Sequence, residues 1–306
     1  SVIAKNICKT IFENGGRVYV GCGVKQIITG HVDETVLGQV GLHLNNNTKT
    51  RCVKGVRLDN GHIIYANEVV SNVGLRNTFE RLVTDELTTC ESQSGMSRCV
   101  PLIDFPENKR PNNIGIYREL IDNIKPSVKH IYCFVKLDGD PTSLGLRSSN
   151  LWIYPHDDYD KLEEEFIKNP LEAPMPMFMG FSCAKDPDWQ INYPGLSNAI
   201  ILTLAKKEWF AEWENDRCGR RGDVYNDYKD RIGKRLLEEG LYTFFPKTRG
   251  CVKHFEMGTP LTTEHYLGAS CGESYGLDIN KYRLLNGHHL RPKTPIKGLY
   301  LTGQDV

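Results

Sequence analysis

Gly298-Leu299-Tyr300-Leu301-Thr302-Gly303-Gln304-Asp305-Val306 is the stretch on which the fold turns, a short apolar strand running straight into Gly-Gln-Asp. At the carboxyl end of a buried strand, a glycine lets the backbone approach a ligand, and an acid beside it can accept hydrogen bonds from sugar-like hydroxyls. The pattern predicts that Gly303, Gln304 and Asp305 line one side of a cradle with the carboxylate turned inward. A helix whose amides face a phosphate is expected to follow such a turn, beyond the last residue of the sequence.

Just upstream, His288 and His289 precede Leu290, Arg291 and Pro292, which puts one of them in reach of a ligand at the strand's end. An ordinary surface or hydrogen-bonded histidine accounts for the pair as well. Further back, residues 258–276 are dense in Gly, Ala, Ser and Thr and include Tyr275 and Gly276. Small residues at that density let a flat ring or a phosphate lie against the backbone, with Tyr275 able to stack or to donate a proton. The same composition suits a loop built on positive backbone torsions, and composition leaves the two open.

The amino-terminal part carries a matching alternation of elements. Ile3, Ile7, Ile11 and Phe12 recur at helical spacing, so residues 2–13 are expected to form an amphipathic helix that ends at Asn14-Gly15-Gly16. Residues 17–20 and 24–28 read as strands. Residues 53–58 and 62–65 form a hairpin about Asp59-Asn60-Gly61, and a strand over 68–71 runs into Asn72-Val73-Gly74. From about residue 75 to 255 the texture changes to long mixed segments, with helices at 159–168 and 225–239 and strands at 131–137 and 199–204. The first and last pieces thus belong to one domain and the middle to an inserted α+β lobe.

Composition narrows the chemistry. In 306 residues, 38 Lys and Arg balance 38 Asp and Glu, which argues against a chain-wide attraction to nucleic acid or to an anionic bilayer. No apolar run is long enough to span a bilayer. The ten cysteines are scattered without Cys-x-x-Cys spacing, so small, partly buried thiols are expected and no metal site. His156-Asp157-Asp158 stands before a charged helix, where acids cap helix ends. No Gly-x-Gly-x-x-Gly fingerprint, P-loop, His-Glu-x-x-His or Gly-x-Ser-x-Gly occurs, which removes the simple hydrolase, metalloprotease and P-loop readings. The sequon at Asn46 would matter only in a secretory compartment.

Five segments together carry a resemblance. Gly258-Thr259-Pro260-Leu261-Thr262-Thr263, Gly272-Glu273-Ser274-Tyr275-Gly276 and, above all, Leu290-Arg291-Pro292-Lys293-Thr294-Pro295-Ile296-Lys297 continuing into Gly298–Asp305 resemble the retinol saturase family. That family is close to the carotenoid isomerases and phytoene desaturases. Asn14-Gly15-Gly16-Arg17-Val18-Tyr19-Val20, with Val24 downstream, and Ala66–Gly74 are similar to the wider flavin amine-oxidase-like superfamily.

The resemblance implies an α/β fold with an α+β insertion. A discontinuous FAD-binding Rossmann-like domain (residues 1–75 and 256–306) would carry an inserted mixed-sheet and helix substrate domain (residues 76–255). It implies FAD as cofactor, with NAD or NADP a candidate electron source. Val24 would meet the adenine side through its backbone, and Asn72 and Gly74 would pass beside the cofactor. Gly303, Gln304 and Asp305 would approach its ribityl and pyrophosphate portion, and Gly276 would border the flavin or the polyene. Tyr275 and His288 are the catalytic candidates as proton donors. The implied substrate is an apolar, retinol-like polyene, with no nucleic-acid partner, and the implied location is the endoplasmic reticulum membrane. The family's glycine-rich phosphate loop and its flavin-covering helix are absent from these residues, so this polypeptide alone is expected to hold FAD poorly and to be inactive. A carotenoid isomerase or desaturase is the rival within enzymes, and a prenyl-lipid escort protein of the same architecture is the rival outside them.

Overall fold

The computed structural model of the chain describes residues 2–32, 50–83 and 115–306. The sequon at Asn46, Cys90 and Cys99 lie outside the described residues. In chain order, α1 (Val2–Glu13) is followed by β1 (Val24–Val32), β2 (Thr50–Leu58), β3 (Ile63–Tyr65) and β4 (Val69–Ser71). A π-helical turn (Asn77–Leu82) and α2 (Gly115–Asn123) come next, then β5 (Lys129–Asp138), β6 (Leu151–Ile153), α3 (Tyr159–Lys168) and β7 (Met177–Gly180). The chain continues through α4 (Trp189–Asn192), β8 (Leu196–Ala205), α5 (Gly222–Arg235), α6 (Tyr242–Phe244) and β9 (Val252–Gly258). It ends in α7 (Pro260–Leu267), α8 (Lys281–Asn286) and β10 (Leu299–Leu301).

These elements form two compact units, one of residues 1–124 with 280–306 and one of residues 125–279. The divisions therefore fall at 124/125 and 279/280, where 75/76 and 255/256 were expected. The second division follows from residues 274–278, which are hydrogen-bonded to 125–128, and the first from α2, whose Tyr117, Leu120 and Ile121 are buried. The Tyr117 ring stacks on Phe79 with centroids 4.2 Å apart, which holds α2 to the first unit.

In the first unit, β1, β2 and β3 make an antiparallel sheet, and β10 pairs with β4 in parallel. Asn60-Gly61 turns the β2–β3 hairpin: Gly61 takes φ +86°, and the Leu58 amide donates to the His62 carbonyl at 2.9 Å. Residues 17–20, expected as a strand, are not one. A strand needs a ladder partner, and this segment has none among the described residues; Tyr19 and Val20 are exposed.

The second unit is built on an antiparallel sheet in the order β6-β7-β8-β5-β9. Alternation along β5 and β8 buries Ile131, Cys133, Val135, Leu137, Ala199 and Ile201 on one face. Helix α5 lies on that face at close range, and two glycines explain how. A Cβ on Gly233 would stand 2.7 Å from the Phe255 ring, and one on Gly240, in the π-helical turn that follows α5, 2.6 Å from Met177 Sδ. Glycine's helix penalty of about 1 kcal/mol is offset by tight helix-on-sheet packing. Asp158 caps α3 as expected, its carboxylate accepting from the Lys161 amide at 3.1 Å.

Candidate functional site

The β4–β10 pair brings together two segments more than two hundred residues apart. Leu299, Tyr300 and Leu301 stand opposite Val69, Val70 and Ser71, and the Thr302 amide donates to the Ser71 carbonyl at 2.9 Å. Parallel pairing puts both carboxyl ends at the same edge, so Asn72, Gly74, Gly303, Gln304 and Asp305 converge there. The outer lip of this edge, Asn72, Val73, Thr302, Gly303 and Gln304, is exposed.

Asp305 lies beneath the lip. It is 5% exposed, and its Oδ2 accepts from the Leu75 amide at 2.7 Å. Leu75 opens the helical segment after β4, so the carboxylate neutralises a helix-end amide that has no partner within the helix. The two glycines make this approach possible. Gly74 holds φ +86°, and a Cβ there would stand 3.1 Å from Asp305 Oδ2. Gly303 holds φ +103°, and a Cβ there would overlap Asn72 Oδ1. The small residues thus first let the two strand ends pack against each other. Arg283 adds a tie, donating from Nη2 to the Gln304 carbonyl at 2.9 Å.

The remaining expected residues lie elsewhere. Val24 opens β1 opposite Leu58, in the three-stranded sheet. His288 sits in a short helical turn with its ring 3.9 Å from that of His289. Burial holds the His289 imidazole below its ordinary value, the neighbouring His288 adds to this, and Glu119 opposes it. Tyr275 and Gly276 are in the second unit. Residues 274–278 run beside 125–128: the Ser274 amide donates to the Val128 carbonyl at 2.9 Å, and the Ser127 amide to that of Gly276 at 2.8 Å. This places Ser274 against the start of β5, where its hydroxyl meets His130 and Tyr132. Sequence reasoning passed over His130, a lone histidine at a strand start. Its signal was indirect, the Gly272–Gly276 motif that delivers Ser274.

Among the described residues no group of three or more His, Cys, Asp or Glu side chains is arranged to hold a metal ion. None of their helices is long and apolar enough to cross a membrane.

No protein-family model matches the chain. In sequence it is similar to the all-trans-retinol 13,14-reductase of Macaca fascicularis, 34% identical over 265 residues that make up 82% of this chain and 39% of that protein. It is 28% identical over 320 residues to the Danio rerio all-trans-retinol 13,14-reductase, covering 99% of this chain and 44% of the relative. A protein named inactive all-trans-retinol 13,14-reductase, also from Danio rerio, is 28% identical over 312 residues, 100% of this chain and 45% of its own length. The chain spans about two fifths of the length of the curated relatives it matches.

Proposed function

The chain is related over most of its length to the all-trans-retinol 13,14-reductases, and from that premise we propose that it serves a flavin-dependent oxidoreductase saturating the 13,14 double bond of all-trans-retinol. The observation that carries the reading is the 34% identity over 82% of the chain. The joined edge of β4 and β10 supports it, because ligands of open α/β sheets bind outside the carboxyl ends of parallel strands.

FAD is the cofactor of this reading, in a discontinuous Rossmann-like domain, with the second unit as substrate domain. The exposed lip fits such a group: Asn72 and Gln304 offer amide side chains, and Gly303 offers an exposed backbone beside them. Buried under them, Asp305 fixes the lip through Leu75. Val24 and Gly276 are the further proposed contacts. When bound, a flavin supplies two-electron hydride chemistry. The protein's own task is then to hold an apolar polyene, exclude water and provide one proton. Tyr275 and His288 are the proton donors that the resemblance implies, one in each unit and each a candidate by itself, and normal turnover after replacing both would remove them from the chemistry.

The test is direct. Full-length protein, loaded with FAD and a reductant, is incubated with all-trans-retinol and the product is weighed by mass spectrometry. A product two hydrogens heavier is expected. An isomer of unchanged mass points to carotenoid-isomerase-like chemistry, and bound retinoid without flavin or conversion points to a lipid carrier; either overturns the reading. Omitting NAD and NADP in turn tests them as electron source. A bilayer-soluble substrate further implies membrane association at the endoplasmic reticulum, which recovery of the full-length protein in the soluble fraction would contradict.

A further inference from the structure

Ser274 Oγ lies between two other groups that can each give and take a proton. His130 Nδ1 is 2.8 Å away and the Tyr132 hydroxyl 2.9 Å away, and in the latter pair either oxygen can be the donor. The three side chains come from the start of β5 and from the strand-like segment laid beside it. The Tyr275 ring packs edge-on to that of His130, with centroids 5.8 Å apart.

We propose that His130, Ser274 and Tyr132 form a proton relay whose outer end, the Tyr132 hydroxyl, protonates a carbon of the polyene as its double bond is saturated. The inference rests on the function proposed above, and it assigns the acid to Tyr132, with Tyr275 as a positioning residue that packs the imidazole.

The surroundings of Tyr132 suit that substrate. Along the sheet face turned away from the core, pairing sets Trp152 opposite Phe178, Phe178 opposite Leu202, Leu202 opposite Tyr132 and Tyr132 opposite Gly258. Phe134 stacks on Tyr132 with ring centroids 6.2 Å apart. Trp152 is 65% and Phe134 49% exposed, so this row is an apolar strip with one phenol in it. A conjugated chain lying along it meets aromatic faces and a single proton-bearing oxygen.

The step balances as follows. The π bond breaks and two C–H bonds form: a reduced flavin, when bound, would supply the hydride equivalent for one, and Tyr132 gives its proton to the other. As Tyr132 gives up its proton it takes that of Ser274, Ser274 takes the one on His130 Nδ1, and His130 Nε2 takes one from solvent. All three residues end neutral, with the imidazole in its other tautomer. The relay needs a neutral imidazole at rest, and burial of His130 favours that form by lowering its pKa.

The test uses the full-length, flavin-loaded protein with all-trans-retinol. Tyr132→Phe is expected to lower kcat by about 100-fold or more, the usual contribution of a positioned acid, with flavin content and retinol affinity unchanged. Ser274→Ala should lower kcat in the same sense. An independent readout is the ring 15N spectrum of His130: Tyr132→Phe should change its tautomer balance through Ser274, although the phenol does not bond to the imidazole. Wild-type turnover with an unimpaired Tyr132→Phe enzyme overturns the relay alone, as does a loss confined to retinol affinity or an unchanged 15N pattern. Failure of the wild-type protein to saturate any polyene overturns the proposed function and the relay together.

Discussion

The two units are held by different means. In the 125–279 unit a five-stranded sheet closes one face with a continuous core that includes Ile201, Met179, Phe181, Phe210 and Leu236, so its order is a matter of apolar area removed from water. In the other unit the candidate cofactor edge hangs on a two-stranded parallel pair, one buried carboxylate and two left-handed glycines. A site built this way is fixed by a few polar contacts, each of which has a large local effect. A core of the first kind spreads the same burden over many residues.

The sharpest way to separate the two uses the tryptophans, because all four (Trp152, Trp189, Trp209 and Trp213) lie in the 125–279 unit. Their fluorescence follows that unit alone. Ile201 is fully buried at the centre of its sheet, between β7 and β5 partners. Ile201→Ala removes buried carbon and leaves a cavity, and it should cost about 2–5 kcal/mol. The shift is read as a lower urea midpoint of the tryptophan-detected transition.

Asp305→Ala is the counterpart in the other unit. It leaves the Leu75 amide buried without its carboxylate partner, a loss of about 2–3 kcal/mol. Hydrogen exchange at the Leu75 amide should accelerate, while the tryptophan transition keeps its midpoint. An equal shift of that transition would show that the two units unfold as one, and the contrast drawn above would fall.

Gly303→Ala should have a smaller effect of about 1–2 kcal/mol, in the range for one strained backbone position. Two sources contribute, the φ of +103° and the overlap of the new Cβ with Asn72 Oδ1. They separate in a double-mutant cycle. Asn72→Ala in the same chain relieves the overlap and leaves the torsion, so part of the loss should be recovered. Full recovery would mean that the torsion costs nothing, and no recovery that Asn72 does not set the position.

How far the sequence foretells this can be argued residue by residue. The spacing of Ile3, Ile7 and Ile11 and the stop at Gly15 give α1 its observed bounds, because helix periodicity and a left-handed glycine are local properties. The Asn60-Gly61 hairpin is legible for the same reason. Residues 17–20 have strand-like composition but no partner among the described residues, and pairing is not a local property. The helix at 225–239 begins earlier, at Gly222, and gives way to a π-helical turn over Leu236–Leu241, where packing of Gly240 against Met177 overrides propensity. Nothing in Gly-Gln-Asp says which amide its carboxylate meets, since Leu75 is 230 residues away. His130 was hidden likewise, because its partner Ser274 is 144 positions further on.

The smallest effect expected is on the pH dependence of stability, and it too divides between the units. His130 in one and His289 in the other both sit below the ordinary value of 6.5, each chiefly through burial. A histidine held low prefers to be neutral when folded, so the unfolded chain takes up its proton first as the pH falls. Stability is therefore full above about pH 6.5, declines as pH drops through that value, and levels off below the folded-state values. The tryptophan transition should follow this course because of His130, which packs against Ser274, Tyr132 and Tyr275. His130→Gln should flatten it between pH 7 and pH 5, whereas His289→Gln, beside His288 and Glu119, should leave it as steep as before. If both replacements flatten it alike, protonation in one unit is felt in the other, and the core and the β4–β10 edge are not independent in stability.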